Sequence, residues 1–301
     1  MNWAGIIGAL LICFVWIDFL RRLDIFEPEK WKYTFMATGL GAVFTFIWSF
    51  ILLIPGIRDA GPADDALSIL QFFIFNVALP EEIAKIIPVF IMLAYTRELD
   101  EPYDYLKFAM CSALGFATVE NIQYFDQHGS EIIDKRAYLS VVGHLTFSCF
   151  MAYGLVRHKM FGRGNLPLNI LLFGSISIVT HGLFDSLLTF SPYGNLLFIP
   201  FFYLLVVVLR NMINTTLNFS PWFEDGKFEK IKSAFTILII GLLLVFFYAA
   251  LMITIESGTE AGIAFVTENF LLSGTLIFFI PNRLSGMVLE KNNRVDILTR
   301  K

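Results

Sequence analysis

Residues 233–255 read SAFTILIIGLLLVFFYAALMITI, 23 positions without a charged side chain. A membrane-spanning helix needs about 20 mostly apolar residues, so this stretch is long enough to cross a bilayer, and it decides the class of fold. Working outward from it, comparable runs occur at 2–19, 34–54, 68–95, 106–124, 137–156, 168–188, 196–213 and 262–280. The composition agrees. The 301 residues are 56% hydrophobic and 16% charged, include 33 Phe, and have a mean hydropathy of +0.68, whereas soluble domains carry about 25% charged residues. An ordinary cytosolic enzyme, a disordered chain and a nucleic-acid-binding chain are excluded. The expectation is an all-α polytopic transmembrane bundle of about nine spans, a single membrane domain over 1–301.

The basic residues orient the bundle. With the N-terminus outside, the loops at 20–33, 96–107, 157–167, 210–232 and 281–301 face the cytoplasm and hold 18 of the 22 lysines and arginines; the opposite loops hold Arg58, Lys135 and Arg136. This bias follows the positive-inside rule and predicts an N-out, C-in chain. The first run lacks a preceding basic region, and Arg21 and Arg22 follow it, so it reads as a retained helix rather than a signal peptide. The run at 68–95 is too long for one straight span and contains Pro80 and Pro88, which predicts a kink or a short membrane-surface segment at its start. The loop at 210–232, with Pro221 and Trp222, reads as a surface-lying linker. Cys13, Cys111 and Cys149 all lie in apolar runs and read as small hydrophobes.

Ionisable side chains at the centre of a span cost roughly 2.5–3.5 kcal/mol each on insertion scales. Even so, Glu81, Glu82, Lys85, Glu120, His144, His181 and Asp185 lie within apolar runs, with Asn121 beside them. Under the topology above, these residues of runs three to six reach a similar depth, at or outward of the midplane, and intramembrane ionisable groups at one depth mark a functional site. Glu81 and Lys85 are i,i+4 neighbours with the acid first, the better orientation for pairing, which leaves Glu82 without that partner. His181 and Asp185 are also i,i+4 and leave one helix face. Taken singly, the bland readings are a structural ion pair for Glu81–Lys85 and a hydrogen-bonded packing residue for His144. His128 and His158 read as solvated, Asp18, at the end of the first run next to Arg21 and Arg22, as a membrane-surface contact, and Glu268-Asn269 as an inter-helix hydrogen-bonding pair.

Four blocks occur in order on successive helices: Glu81-Glu82-Ile83-Ala84-Lys85, Phe116-Ala117-Thr118-Val119-Glu120-Asn121, His144, and His181-Gly182-Leu183-Phe184-Asp185. Together they resemble the PrsW-type intramembrane proteases, distant relatives of the CAAX prenyl endopeptidases. The resemblance covers roughly residues 68–215, which implies a protease core of four helices there and accessory transmembrane helices at 1–67 and 216–301. It implies cleavage of a membrane-anchored protein, such as an anti-sigma regulator, in or near the membrane, by a multi-pass protein of the plasma (inner) membrane with no nucleic-acid partner.

The chemistry stands beside the resemblance. Amide hydrolysis needs an activated water, an oxyanion stabiliser and a proton for the leaving amine. Glu82, the acid left without Lys85, reads as the general base, Glu81–Lys85 as a geometric support and Asn121 as an oxyanion donor. His144 and His181 with Glu120 or Asp185 supply three ligands for a catalytic zinc with an open water position. The chain has no HExxH motif, and a metal-free mechanism driven by Glu82 stays open. The competing reading is a proton-coupled transporter that uses the same cluster as a relay, although no inverted repeat is visible. A catalytically silent scaffold is a third.

Overall fold

A computed structural model describes residues 3–51, 65–190 and 193–294; all the regular structure among them is helical. In chain order the α-helices are α1 Trp3–Leu23, α2 Trp31–Ile51, α3 Ala66–Phe72, α4 Leu79–Tyr95, α5 Pro102–His128, α6 Ile133–Lys135, α7 Val141–Lys159, α8 Leu166–Thr189, α9 Tyr193–Asn218, α10 Phe228–Ser257 and α11 Thr259–Ser285. Six helical stretches among the described residues are long and apolar enough to cross a membrane: Trp3–Leu23, Ser130–Lys159, Leu166–Thr189, Leu196–Asn218, Glu229–Ser257 and Thr259–Ser285. Helices α2, α4 and α5 occupy the other three apolar runs. Residues 2 and 52–54 of the first two runs, and Arg58, Arg300 and Lys301 of the charge count, lie outside the described residues.

The third run is continuously helical. A π turn, Phe73–Ala78, joins α3 to α4, directly ahead of Pro80, whose ring and missing N–H disallow regular α hydrogen bonding at that point. A second π turn, Arg136–Ser140, leads into α7. The expected linker at 210–232 is shorter than its sequence suggests. Residues 210–218 continue α9, and their polar face is buried because Asn218 binds the backbone of Val288, Glu290 and Asn293.

Helices α5 and α7 form the centre, buried along almost their whole length between Pro102 and Ala117 and between Val141 and Val156. They carry no one-sided apolar stripe, as expected of helices surrounded by others. Small residues bring α2 onto α5: a Cβ at Gly41 would overlap the Ser112 carbonyl, and one at Gly115 the Thr38 carbonyl. Close backbone approach of this kind is how helices gain contact where lipid supplies no hydrophobic drive. Buried rings then tie neighbours across the bundle, with Trp16 Nε1 donating to Ala137 O at 3.1 Å and Tyr103 OH to Leu20 O at 3.0 Å. Cys13, Cys111 and Cys149 are free and buried.

Candidate active site

Both π turns open onto the same place. The first places Glu81 and Glu82 in the opening turn of α4, and the second precedes His144 near the start of α7; Glu120 comes from the later half of α5, and His181 and Asp185 from the later half of α8. Gly182 lets the first π turn lie against α8, since a Cβ there would come within 2.8 Å of the Ile74 Cα. π turns inside helices frequently mark functional sites, and here they bring the four helices together around a cavity of about 710 Å³ lined by Glu81, Glu120, Arg136, His144, His181 and Asp185 among others.

Glu82 is the most engaged acid. Its Oε1 lies 2.8 Å from Lys85 Nζ and 2.9 Å from His181 Nδ1, and its Oε2 lies 3.0 Å from Ser177 Oγ. It is 1% exposed and does not line the cavity. Glu81 stands 3.4 Å from Lys85 Nζ and 3.8 Å from His181 Nε2, and its side chain is 14% exposed. The expected pairing is therefore corrected: Lys85 binds Glu82 more closely than Glu81. An i,i+3 spacing also puts two side chains on one helix face, and His181 and Ser177 draw Glu82 inward. Lys85 reaches further, 3.0 Å from His144 Nδ1 and 4.2 Å from the centre of the Phe116 ring.

The imidazoles meet edge to face, with ring centres 5.6 Å apart, and Phe147 stacks on His181 at 4.7 Å. His144 Nε2 is 2.9 Å from Glu120 Oε2, an oxygen that also pairs with Arg136. His181 Nε2 is 3.5 Å from Asp185 Oδ2, so the i,i+4 spacing does place those two together. With Nδ1–H of His181 donating to the Glu82 carboxylate, Nε2 is the ring nitrogen that faces Glu81 and Asp185, and in the neutral imidazole it is the one that carries the lone pair.

Asn121 lies apart from the rest. It is buried, does not line the cavity, and its Oδ1 accepts from Arg136 Nε at 2.5 Å. Arg136 is the residue that sequence reasoning missed. Counted there as an outer-loop charge, it bridges Glu120 and Asn121, sits 4.0 Å from the Tyr124 ring centre and lines the cavity. The available signal was its place eight residues, about two helical turns, before His144. Ser177 was missed as well, since nothing marks a membrane serine as the partner of an acid. His128 is exposed, Asp18 pairs with Arg22 at 2.6 Å, and Glu268 is exposed. Asn269 donates to Phe265 O of its own helix, not across helices, because Ser/Thr/Asn side chains within a helix readily satisfy themselves on the preceding turn.

The residues present fit a divalent metal. Glu81, His144 and His181 each offer a ligand atom, and these atoms lie within 4.8 Å of one another; two imidazoles and one carboxylate are a catalytic zinc set. Glu82 on His181 is the outer carboxylate that such ligands usually carry. The charges agree, for among the described residues the carboxylates of Glu81, Glu82, Glu120 and Asp185 outnumber the fixed cations that pair with them, Lys85 and Arg136, even with Lys135 also lining the cavity. A metal on His144 would take the place of one of that ring's two partners, Lys85 or Glu120. The third ligand in this grouping is Glu81, where Glu120 or Asp185 was expected.

Comparison with known proteins agrees with the residues. A family model described as PrsW family intramembrane metalloprotease matches residues 29–210, well over half of the chain. Among curated relatives, Protease PrsW of Oceanobacillus iheyensis is 31% identical over 147 residues, 48% of this chain and 66% of the relative. Protease PrsW of Geobacillus kaustophilus is 31% identical over 139 residues, 46% and 59% respectively, and that of Clostridioides difficile 28% identical over 185 residues, 60% and 75%. The chain thus spans a little under two thirds of the length of the first two. No solved structure matches it.

Proposed function

The chain belongs to the PrsW family of intramembrane metalloproteases, and from that premise we propose that it is an endopeptidase of the plasma membrane that hydrolyses a peptide bond in a membrane-anchored protein near the outer face. The observation that carries this reading is the convergence of carboxylates and imidazoles from α4, α5, α7 and α8 on one cavity. A transporter needs such groups strung along a path; here they are gathered at one end of the bundle.

His144, His181 and Glu81 would hold a zinc ion, which when bound lowers the pKa of a coordinated water and polarises the scissile carbonyl. Asp185, 24% exposed in the cavity and 3.5 Å from His181 Nε2, is the group placed to take the proton from the attacking water and return it to the leaving amine nitrogen. Arg136 faces the cavity with a fixed positive charge and stabilises the oxyanion, the role that Asn121 is turned away from. Glu82 holds the His181 tautomer, and Glu120 orients His144. Lys85 neutralises Glu82, the most deeply buried acid of the group.

A membrane-embedded substrate has a way in. An apolar groove of about 560 Å³ between α2 and α4 shares Trp48 with the catalytic cavity and is bordered by lipid-facing Ile47, Phe75 and Ile83. A spanning segment of the substrate resting in this groove would present its outer end to the catalytic cavity at Trp48, which lines both.

The test is a survey of new protein N-termini in vesicles that hold a bacterial membrane proteome and the reconstituted full chain, wild type or Glu81→Gln. Cleavage sites at the outer ends of single-span proteins, lost in the variant, support the reading. Identical N-termini in both samples contradict it.

A further inference from the structure

At the opposite end of α5 from Glu120 lies a second cluster of ionisable groups, which the proposed mechanism does not use. The α1–α2 connection supplies Asp24, Glu27 and Glu29; the first turn of α5 and the residue before it supply Asp104 and Glu101. Asp24, Glu101 and Asp104 are at most 2% exposed. Ligand oxygens of Asp24, Glu101 and Asp104 lie within 4.8 Å of one another, and so do those of Glu27, Glu29 and Asp104.

Part of the cluster has a structural job. Glu101 and Asp104 form a reciprocal cap on the N-terminus of α5, Glu101 also pairs with Ser220, and Asp24 Oδ2 accepts from Lys107 Nζ at 2.5 Å and from Glu29 N at 2.9 Å. These roles use one oxygen of each key carboxylate. The other oxygens, Asp24 Oδ1, Glu101 Oε1 and Asp104 Oδ1, together with Glu27 Oε2, are buried without a hydrogen-bond partner among the described residues. Buried acceptors are almost always satisfied, and four unsatisfied ones from one cluster indicate a missing partner. Among the described residues the cluster has a single ion-pair partner, Lys107 on Asp24.

We propose that these carboxylates, where the α1–α2 connection meets the first turn of α5, bind a hard divalent cation, Ca²⁺ or Mg²⁺. Oxygen-only donors select these ions over zinc, whose protein sites favour nitrogen and sulfur. Asp104 belongs to both groups of three and stands at the centre of the site. The ion would join the α1–α2 connection, the head of α5 and, through Glu101, Ser220 beyond α9. Asp104 and Glu120 are separated by about 24 Å along α5, so the site is distinct from the catalytic cavity and does not depend on the function proposed for it.

The full chain in detergent, stripped with chelator, is melted during separate titrations with CaCl₂ and MgCl₂, and ion stoichiometry is read by equilibrium dialysis. The expected result is about one bound ion per chain and a rise of several degrees in Tm. The rise should be kept in Glu81→Gln and lost in Asp104→Asn and, where that variant does not fold, in Glu101→Gln. A greater response to Ca²⁺ points to full protein coordination and a greater response to Mg²⁺ to a partly hydrated ion; both support the site. Absence of binding on the wild type, a rise that survives Asp104→Asn, or a rise abolished by Glu81→Gln overturns it, the last because the ion would then sit in the catalytic cavity.

Discussion

Glu82 accepts a hydrogen bond from His181 Nδ1 at 2.9 Å while the same oxygen holds Lys85 Nζ at 2.8 Å. This three-way contact joins α4 to α8 and makes Glu82 a positioning residue. It fixes which imidazole nitrogen faces the cavity, and it provides the counter-charge for a lysine that is 1% exposed.

Removing that carboxylate separates the two roles. Glu82→Gln is expected to lower the melting temperature, because breaking a buried pair leaves an uncompensated charge at a cost of about 3–5 kcal/mol. It is also expected to weaken zinc affinity by roughly 10–100-fold through the freed His181 ring. Adding Lys85→Met should restore the melting temperature but not the zinc affinity. Calorimetry and metal titration of the two variants check this; recovery of both properties together would contradict it.

Glu81→Gln and Asp185→Asn are expected to fail differently. Both should lower turnover, Asp185→Asn by about 10²–10⁴-fold as a lost proton shuttle. Only Glu81→Gln should also lose bound metal, since Glu81 belongs to the ligand group. Metal analysis of the purified variants, run beside an activity assay, distinguishes them.

Arg136→Lys is expected to behave almost as badly as Arg136→Ala. The guanidinium spans Glu120 and Asn121 at once, and a lysine offers a point charge without that fork. The loss should fall on kcat, by about 10²–10³-fold if the residue faces the oxyanion. A change confined to KM would place Arg136 in substrate binding.

Gly182→Ala places a methyl group within 2.8 Å of the Ile74 Cα and 2.6 Å of its Cγ1. It should push the first π turn off α8 and separate Glu81 from His181, so that activity falls while α8 itself stays helical. Circular dichroism and turnover measured together check this. Full activity would show that the π turn has room to move.

The helical runs and the motif residues were legible in the sequence because apolar length and polar expense are local properties. Glu81, Glu120, His144, His181 and Asp185 all face one cavity, as their common depth in the spans suggested. What sequence could not give is which partner each acid takes. Rotation about α4 leaves both Glu81 and Glu82 within reach of Lys85, and the choice is made by Ser177 and His181 on a helix almost a hundred residues away. Arg136 looked like a loop charge because its position was judged by the end of an apolar run, while a π turn carries helical structure past that end. The acidic cluster at the head of α5 escaped notice because its members lie in connections or in the first turn of α5, where acids are ordinary until burial sets them apart.

The most direct test of the catalytic centre is the rate of amide-bond cleavage in a membrane-anchored substrate by reconstituted wild type and His181→Ala, with the melting temperature of each measured in the same preparation. A fall of about 10²-fold or more in the variant, with the melt little changed, is the predicted result. Equal rates from two folded proteins would contradict it, because hydrolysis would then be occurring elsewhere than at the four-helix cavity.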